Sequence, residues 1–452
     1  MIVAVIDIGK TNAKVALVDL ATLSEIALRR IANAPVRQAP YPHHDVEALW
    51  TFILDSLSDL NRERRIDAIS ITTHGATGAL VDAAGELALP VLDYEFDGPD
   101  ELAAGYDAVR PPFAETGTPR LPIGLNLGAQ FFWLEKRFPA QFAKAAAMLT
   151  YPQYWALRLT GVAANEVTSL GCHTDLWNPW TSDYSSLVDR MGWRLLMAPV
   201  RPAKDRLGSI LPAIARQTGL DPATPMFCGL HDSNASLLPH LLADRPPFSV
   251  VSTGTWVVSM AVGGRKVELD AARDTLVNVN ALGDPVPSAR FMGGREFSLL
   301  TDGQPQEWSE ADVAAVLARQ VLLLPSTQQG SGPFPHRDAQ WVNAENLSPG
   351  RRFAAISFYL ALMTATCLEL IGGNGATTVE GPFAQNQLFN RMLAAATGRP
   401  VVASETSTGT SIGAALLASD GVPAMSKGKR TEPPADPAWQ AYGQAWRKIA
   451  AA

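Results

Sequence analysis

The chain opens on an apolar block, Ile2-Val-Ala-Val-Ile6, interrupted by Asp7 and then by Gly9-Lys10-Thr11-Asn12, after which apolar residues resume in AKVALVDL. That pattern predicts a buried strand, a tight turn and a second strand. DVEALWTFILDSLSDLNRER sets Val46, Leu49, Phe52, Ile53 and Leu57 at helical spacing. IDAISITTHG reads as a strand ending at His74 and Gly75, and ALVDAAGELALPVLDY as a further hairpin turning at Ala-Ala-Gly. Residues 100–130 are irregular and rich in Pro and Gly, and FFWLEKRFPAQFAKAAAMLTYPQYWALRLTG predicts two helices. PMFCGLHDSNAS carries a strand into a polar turn, and LLPHLLADRPPF leaves that region through two prolines.

FSVVSTGTWVVSMAV then repeats the opening form of strand, Gly/Thr turn and strand. Downstream, RRFAAISFYLALMTATCLELIGG predicts a long apolar helix, ATTVEGPFAQNQLFNRMLAAATGRPVVAS a strand, turn, helix and strand, and TSIGAALLAS a helix. The tail after about 425 is Lys- and Pro-rich before a final short helix. Two halves with matching hairpins predict a duplicated α/β architecture with a cleft between lobes 1–244 and 245–452, the boundary falling near Asp244–Pro247.

Bulk properties narrow the function classes. At 452 residues the chain is too long for one ordinary core. Its 37 basic and 44 acidic side chains give a formal charge of −7, which argues against nucleic acid as a partner. The three cysteines, Cys172, Cys228 and Cys367, form no CxxC pair, so neither a disulfide framework nor a cysteine zinc site is expected, and a cytoplasmic setting fits. The N-terminus lacks the basic and long apolar regions of a signal peptide, and no run reaches about 18 uncharged apolar residues, so no membrane span is expected.

The polar turns are the candidate chemistry. Backbone N–H groups of a Gly-containing turn can cradle an anion, and Lys10, Thr11, Asn12 and Lys14 add donors. Asp7 repels a bare phosphate, but Mg²⁺ between them reverses the sign. An ordinary hairpin with Asp7 capping its own turn explains the same residues equally well. The turn is not a Walker motif, because no GxxxxGK[ST] precedes a helix. Ser252 to Thr255 supply a second hydroxyl-rich turn. Asp232 stands where a phosphoryl acceptor's proton could be taken, and equally where a helix N-cap belongs. His74 ends a strand and is as easily structural; Trp133 and Trp155 read as core, and His43-His44 as surface.

Taken together, IDIGKTNAK, ISITTHGATGALVD, AQFFWLEKRFP with YWALRLTG, GLHDSNAS followed by STGTW, and GPFAQNQLFNRMLAAATGRPV resemble the FGGY carbohydrate kinases of the sugar kinase, Hsp70 and actin superfamily. His-Asp followed by Ser-Thr-Gly-Thr-Trp, and ANEVTSLGC, are especially similar to rhamnulokinases; the His-Gly stretch resembles xylulokinases. The resemblance implies two actin-like, ribonuclease H-like lobes and ATP-dependent phosphorylation of a small sugar. It implies Asp232 as catalytic base, Asp7 as the carboxylate that holds Mg²⁺, and Lys10, Thr11, Asn12 and Lys14 as the first phosphate loop. Thr253, Gly254 and Thr255 match the second loop, and Gly381, Gln385 and Asn386 the adenosine segment, within which Phe383 is a candidate ATP contact at a position that departs from the family. His74, Gly75, His231 and Asp232 fall where family members contact sugar.

Two departures stand out. Pro382 and Phe383 replace glycines of the usual GGGAKN, so that Phe383 either stacks on adenine or narrows the pocket. LDYEFDGPDE replaces a segment that usually shapes the sugar site. Glycerol kinases resemble one another in an Arg-Glu pair where this chain has Thr73-His74-Gly75, and the two histidines suit a longer polyhydroxy chain. The expected substrate is therefore a five- or six-carbon ketose or deoxy-ketose, such as L-rhamnulose, L-fuculose or xylulose. The alternatives are a catalytically silent sugar- or nucleotide-sensing member, a polyol kinase, and an actin- or Hsp70-like ATPase acting on proteins. The expected partners are the sugar and ATP, without nucleic acid or membrane; a homodimer is compatible with this reading.

Overall fold

The computed structural model describes residues 1–303, 307–404, 409–419, 421 and 428–451. The chain folds into two compact units. The first comprises Met1–Ala243, Val277–Pro285 and Thr408–Ala424, and the second Asp244–Leu276, Val286–Ser407 and Met425–Ala452. The start of the Lys- and Pro-rich tail, 425–427, lies outside the described residues.

In the first unit, β1 (Ile2–Ile8) and β2 (Asn12–Asp19) form the expected antiparallel hairpin, with Asp7 opposite Lys14. A third strand, β3 (Ser24–Ala32), continues the meander. The sequence pattern hid it, because its apolar Ile26, Leu28 and Ile31 are exposed on the sheet edge and fall out of strict alternation at Arg29-Arg30. Helix α1 (Val46–Glu63) follows, its first turn capped by Asp45, which accepts from Ala48 N at 3.0 Å. It buries Leu49, Ile53, Leu57 and Leu60. Strand β4 (Ala68–Thr73) then pairs in parallel with β1. Later β5 (Arg206–Ser209), β6 (Pro225–Phe227) and β7 (Leu230–His231) complete the sheet. Its order is β3-β2-β1-β4-β6-β5, with β7 also on β4.

Two local expectations are corrected. The stretch turning at Ala83-Ala84-Gly85 does fold back, Ala88 N meeting Leu80 O at 2.8 Å. Its strand Gly78–Val81, however, pairs mainly with Ala147–Thr150, which the sequence pattern assigned to helix. That short strand separates α2 (Leu127–Arg137) from α3 (Tyr151–Thr160); AMLT is too brief for a period of two to show. Trp133 and Trp155 are core residues, as expected.

Helix α4 (Asp232–Ala243) begins directly after β7. The second unit repeats the first sheet. Strands β8 (Phe248–Thr253) and β9 (Val257–Val262) form a hairpin, β10 (Pro285–Phe291) extends it, and β11 (Thr377–Glu380) lies parallel to β8. With β12 (Val401–Ala403) and β13 (Lys429–Thr431) the sheet runs β10-β9-β8-β11-β12-β13, with Thr275–Val279 as a seventh strand on the outer edge of β10, and it follows the same meander-then-parallel sequence. Helix α5 (Pro349–Leu370) is apolar and long enough to cross a membrane by length and composition. Yet 83% of its most apolar window is buried among α6 (Gln387–Thr397), α8 (Pro437–Ala451) and the sheet, as a core helix is. Helix α7 (Thr410–Leu416) packs on α4 in the first unit. The final helix has 15 residues and is not short.

Gly229 bridges β6 and β7 at φ +82°, and a Cβ there would stand 2.4 Å from the Ile71 carbonyl oxygen. We expect Gly229→Ala to combine a left-handed strain with that clash and to cost on the order of 2–3 kcal/mol. Urea unfolding checks this; a midpoint equal to wild type would contradict the tight approach.

Candidate active site

The site in the first unit follows from register. Ile8 pairs with Thr73 across β1 and β4, and Thr73 pairs with His231 across β4 and β7. The next residues, Gly9, His74 and Asp232, therefore emerge side by side at the carboxyl ends of parallel strands, where open α/β sheets bind ligands. His74 N bonds to Ile8 O at 2.9 Å and locks the row.

At the first turn, Gly9 N reaches Asn12 O at 2.9 Å, while Asn33 grips the turn from outside, its Nδ2 on Gly9 O at 2.8 Å. Thr11 and Asn12 are exposed. Lys14 Nζ stands 3.5 Å from Asp7 Oδ2 and 3.1 Å from Glu25. Thr410, at the start of α7, donates its hydroxyl to Asp7 Oδ2. Burial pushes the Asp7 carboxyl above its usual range against the pull of Thr410 and Lys14, and the Asp232 charge pushes the same way. Lys10 turns elsewhere. Its ammonium pairs with Asp93, lies 3.4 Å from Glu95 and sits 4.6 Å from the Tyr94 ring centroid.

Asp232 opens α4, with Oδ1 accepting from Ser233 N at 2.6 Å and lying 3.1 Å from His231 Nε2. Its side chain is 30% exposed, and desolvation raises its proton affinity, with His74 and Ser233 opposing. The other ring nitrogen of His231 stands 3.5 Å from Asn234 Nδ2, which fits an Nε2–H tautomer. Gly75 explains itself sterically: a Cβ there would lie 2.8 Å from His231 Nε2 and 3.1 Å from Cys172 Sγ. Behind the dipeptide, His231 N donates to Thr168 Oγ1 at 2.9 Å, and Thr168 Oγ1 donates to Glu166 Oε2 at 2.5 Å. Burial lifts Glu166 to about 7, and its Oε1 is buried without a partner. Gln153 ties Cys228 O at 2.9 Å, bracing the loop before β7.

His74 is buried, and desolvation holds it at about 4; His231 is held at about 4 for the same reason. Both imidazoles are neutral near neutral pH. His44, expected at the surface, is only 2% exposed and packs against His74 and Tyr151 with centroids 5.2 and 5.3 Å apart. Its apolar neighbours in the fold, not in the sequence, decide this.

In the second unit, Gly254 N meets Trp256 O at 2.9 Å, leaving Gly254 and Thr255 exposed in the turn between β8 and β9. Thr253 joins that turn to the next segment: its hydroxyl donates to Glu380 O at 2.5 Å and accepts from Phe383 N at 3.1 Å. Gly381 has φ +78°, and a Cβ there would lie 2.0 Å from Thr253 O. Gln385 is exposed, and Asn386 caps α6 by accepting from Phe389 N at 3.0 Å. Phe383 is only 4% exposed, with its ring against Phe297 and Phe389 at 5.5 and 5.2 Å. It offers no face for stacking, because the core holds it.

The sequence models of the FGGY family's N-terminal domain and of the carbohydrate kinase FGGY C-terminal domain match residues 112–239 and 245–427. The crystal structure of a carbohydrate kinase from Novosphingobium aromaticivorans superposes with a TM-score of 0.91 at 38% identity, covering 99% of this chain and 100% of that one. The chain belongs to the FGGY family of carbohydrate kinases. Its two sheets are those of the family's actin-like α/β fold. Among curated relatives, L-fuculokinase of Salmonella typhi is 24% identical over 58% of this chain and 57% of its own length. Autoinducer-2 kinase of Enterobacter sp. is 24% identical over 66% and 61%. The chain thus spans less than two thirds of the curated relatives it matches.

Several residues of this candidate site were invisible to sequence reasoning. Thr410 meets Asp7 across 403 positions of sequence, and no local pattern announces that. Asp93 and Tyr94 lay in a segment noted only as a departure, and Cys172 reads as an ordinary apolar residue. Thr168 and Glu166 did carry a signal, the Glu-x-Thr spacing.

The His231 assignment has a pH signature. Its folded value of about 4 lies below that of a free imidazole, so between those values the unfolded chain binds a proton that the folded chain refuses. Wild-type stability should therefore fall as pH drops through that window, by about 2 kcal/mol between pH 7 and 5, relative to a His231→Gln variant. Urea unfolding of both proteins at the two pH values measures it; identical pH dependence would overturn the buried neutral imidazole.

Proposed function

We propose that this FGGY chain transfers the γ-phosphoryl group of ATP to a hydroxyl of a small sugar, with Asp232 as general base. The observation that carries the reading is the Asp232 carboxylate, oriented through Oδ1 by His231 and Ser233 in the row of Gly9 and His74, two residues beyond the row of Asp7. Oδ2 is the oxygen we assign to the acceptor hydroxyl. As that hydroxyl oxygen bonds to the γ-phosphorus, its proton passes to Asp232 and the bond to the ADP oxygen breaks. Desolvation raises the affinity of Asp232 for that proton.

Asp7 suits Mg²⁺ in part. It is one buried carboxylate, and no group of three His, Cys, Asp or Glu ligands stands together among the described residues. The protein alone does not make a cage, so the ion belongs with waters and nucleotide oxygens, as Mg²⁺ prefers. Its chemistry would be neutralisation of phosphate charge. Thr11, Asn12 and Lys14 are our first-loop phosphate contacts, with Thr253, Gly254 and Thr255 for the second. Lys10 reaches a phosphate only by leaving Asp93 and Glu95. Gly381, Gln385 and Asn386 remain our adenosine segment; Phe383 supports it from the core. Three free, buried cysteines suit a cytoplasmic protein.

For the acceptor we favour a five- or six-carbon ketose or deoxy-ketose. The neutral pair His74 and His231 supplies hydrogen-bonding groups without a charged clamp, and a relative named L-fuculokinase points the same way. The second reading, a catalytically silent member, loses ground to the intact Asp232 and Asp7.

Asp232→Asn should leave the fold intact and lower kcat by about 10²- to 10⁴-fold; turnover within a few-fold of wild type removes Asp232 from the chemistry. Asp7→Ala should raise the Mg²⁺ concentration needed for half-maximal rate while leaving sugar affinity nearly unchanged, as a magnesium titration shows. Across ketoses, aldoses and polyols in an ADP-release assay, a ketose should exceed glycerol in kcat/KM by a wide margin, and a preference for glycerol would sink the substrate assignment.

A further inference from the structure

The second unit holds a concentration of positive charge that the proposed reaction does not use. A cavity of about 430 Å³ is lined by Arg265, Arg399 and Arg447, with Glu369, Asn374 and Thr397. Four parts of the fold converge there. Arg265 follows β9, Glu369 ends α5, Thr397 ends α6 just before Arg399, and Arg447 lies on α8. Three guanidiniums face one carboxylate in a chain whose formal charge is −7.

Helix ends explain part of the cluster. Cations are favoured at helix C-termini, and Arg447 Nη2 donates to Ala396 O at 2.7 Å near the end of α6. They do not explain the rest. Arg399 Nη1 and Arg447 Nε are buried without a hydrogen-bond partner. Among the described residues none of the three arginines is in an ion pair within 4 Å. A buried donor on a charged group left without an acceptor is costly. Burial and the Arg265 charge pull the Arg399 guanidinium below its usual value, so the site as it stands opposes its own charge. An oxyanion removes both costs at once, since guanidinium forks match phosphate oxygens in pairs.

We propose that this cavity is a binding site for a small phosphorylated metabolite, its phosphate held by Arg399 and Arg447 and its approach steered by the exposed Arg265. The cavity volume lies in the range of small-molecule sites, so it has room for more than a phosphate group. The proposal does not rest on the kinase reading.

Calorimetric titration with inorganic phosphate, glycerol 3-phosphate and glycerol tests it. Wild type should bind both phosphates saturably and glycerol not at all. Glycerol 3-phosphate binding more tightly than phosphate supports a metabolite, and equal affinity narrows the ligand to the phosphate group. Arg399→Gln and Arg447→Gln should each weaken binding by about tenfold or more. Glu369→Gln, which removes the opposing charge, should tighten it; a pure helix-capping role predicts no such gain. If Arg399→Gln fails to fold, the exposed Arg265→Gln must still weaken binding, most at low ionic strength. Phosphate can also enter either candidate phosphate loop, so Lys14→Ala and Thr255→Val are the controls and should leave this binding intact. Absence of saturable binding to wild type, equal affinity in all the arginine variants, or loss in Lys14→Ala or Thr255→Val with the arginine variants unaffected would each overturn the proposal.

Discussion

The first unit depends on one register. Because β1 and β7 both pair in parallel with β4, Ile8, Thr73 and His231 share a row, and whatever follows each of them must appear together. A shift of one residue would turn every side chain of a strand to the opposite face, and Asp7 would exchange places with its apolar neighbours. The buried pattern of β1 and β4, unbroken over their length, holds the register from both faces. Gly229 and Gly75 are consequences of it. The first lets the chain pass Ile71, and the second makes room for the His231 ring.

Burial then sets the chemistry. Removing water raises the proton affinity of Asp7 and Asp232 and lowers that of His74 and His231, so one physical cause yields carboxylates inclined to take protons beside imidazoles that refuse them. The arrangement is costly for folding, and the surroundings offset it locally. Thr410 and Lys14 answer Asp7, and Ser233 answers Asp232. Glu166, bonded to Thr168 and through it to the backbone of His231, supports the pair.

Much of this was legible in the sequence, for stated reasons. The hairpins at Asp7 and Thr253 and the strand-to-helix step at Asp232 are local patterns, and local patterns survive without tertiary information. What failed was decided at long range. The edge strand β3 carries outward apolar residues, Gly78–Val81 finds its partner almost seventy positions later, and His44 is buried by aromatic rings from other segments. Phe383 had two readings, a stacking face or a narrowing of the pocket, and the packing of Phe297 and Phe389 against its ring disfavours the first.

The duplication places different groups at equivalent positions of one scaffold. In each unit the hairpin's first strand runs parallel to a later one, so Asp7 pairs with Thr72 and Ser252 with Glu380. Counted back from the turn glycines Gly9 and Gly254, Asp7 and Ser252 occupy the same place. The first unit puts its acid on the hairpin, where Lys14 and Thr410 temper it; the second puts a hydroxyl there and moves the acid to the neighbouring strand. Thr253 then spends its hydroxyl joining the two strand ends, through Glu380 O and Phe383 N. The second turn therefore presents Gly254 and Thr255 without a hairpin carboxylate, whereas the first carries the buried Asp7 two residues before its glycine. The same fold, with one acid moved across a strand pair, yields one turn that follows a carboxylate and another that follows a hydroxyl.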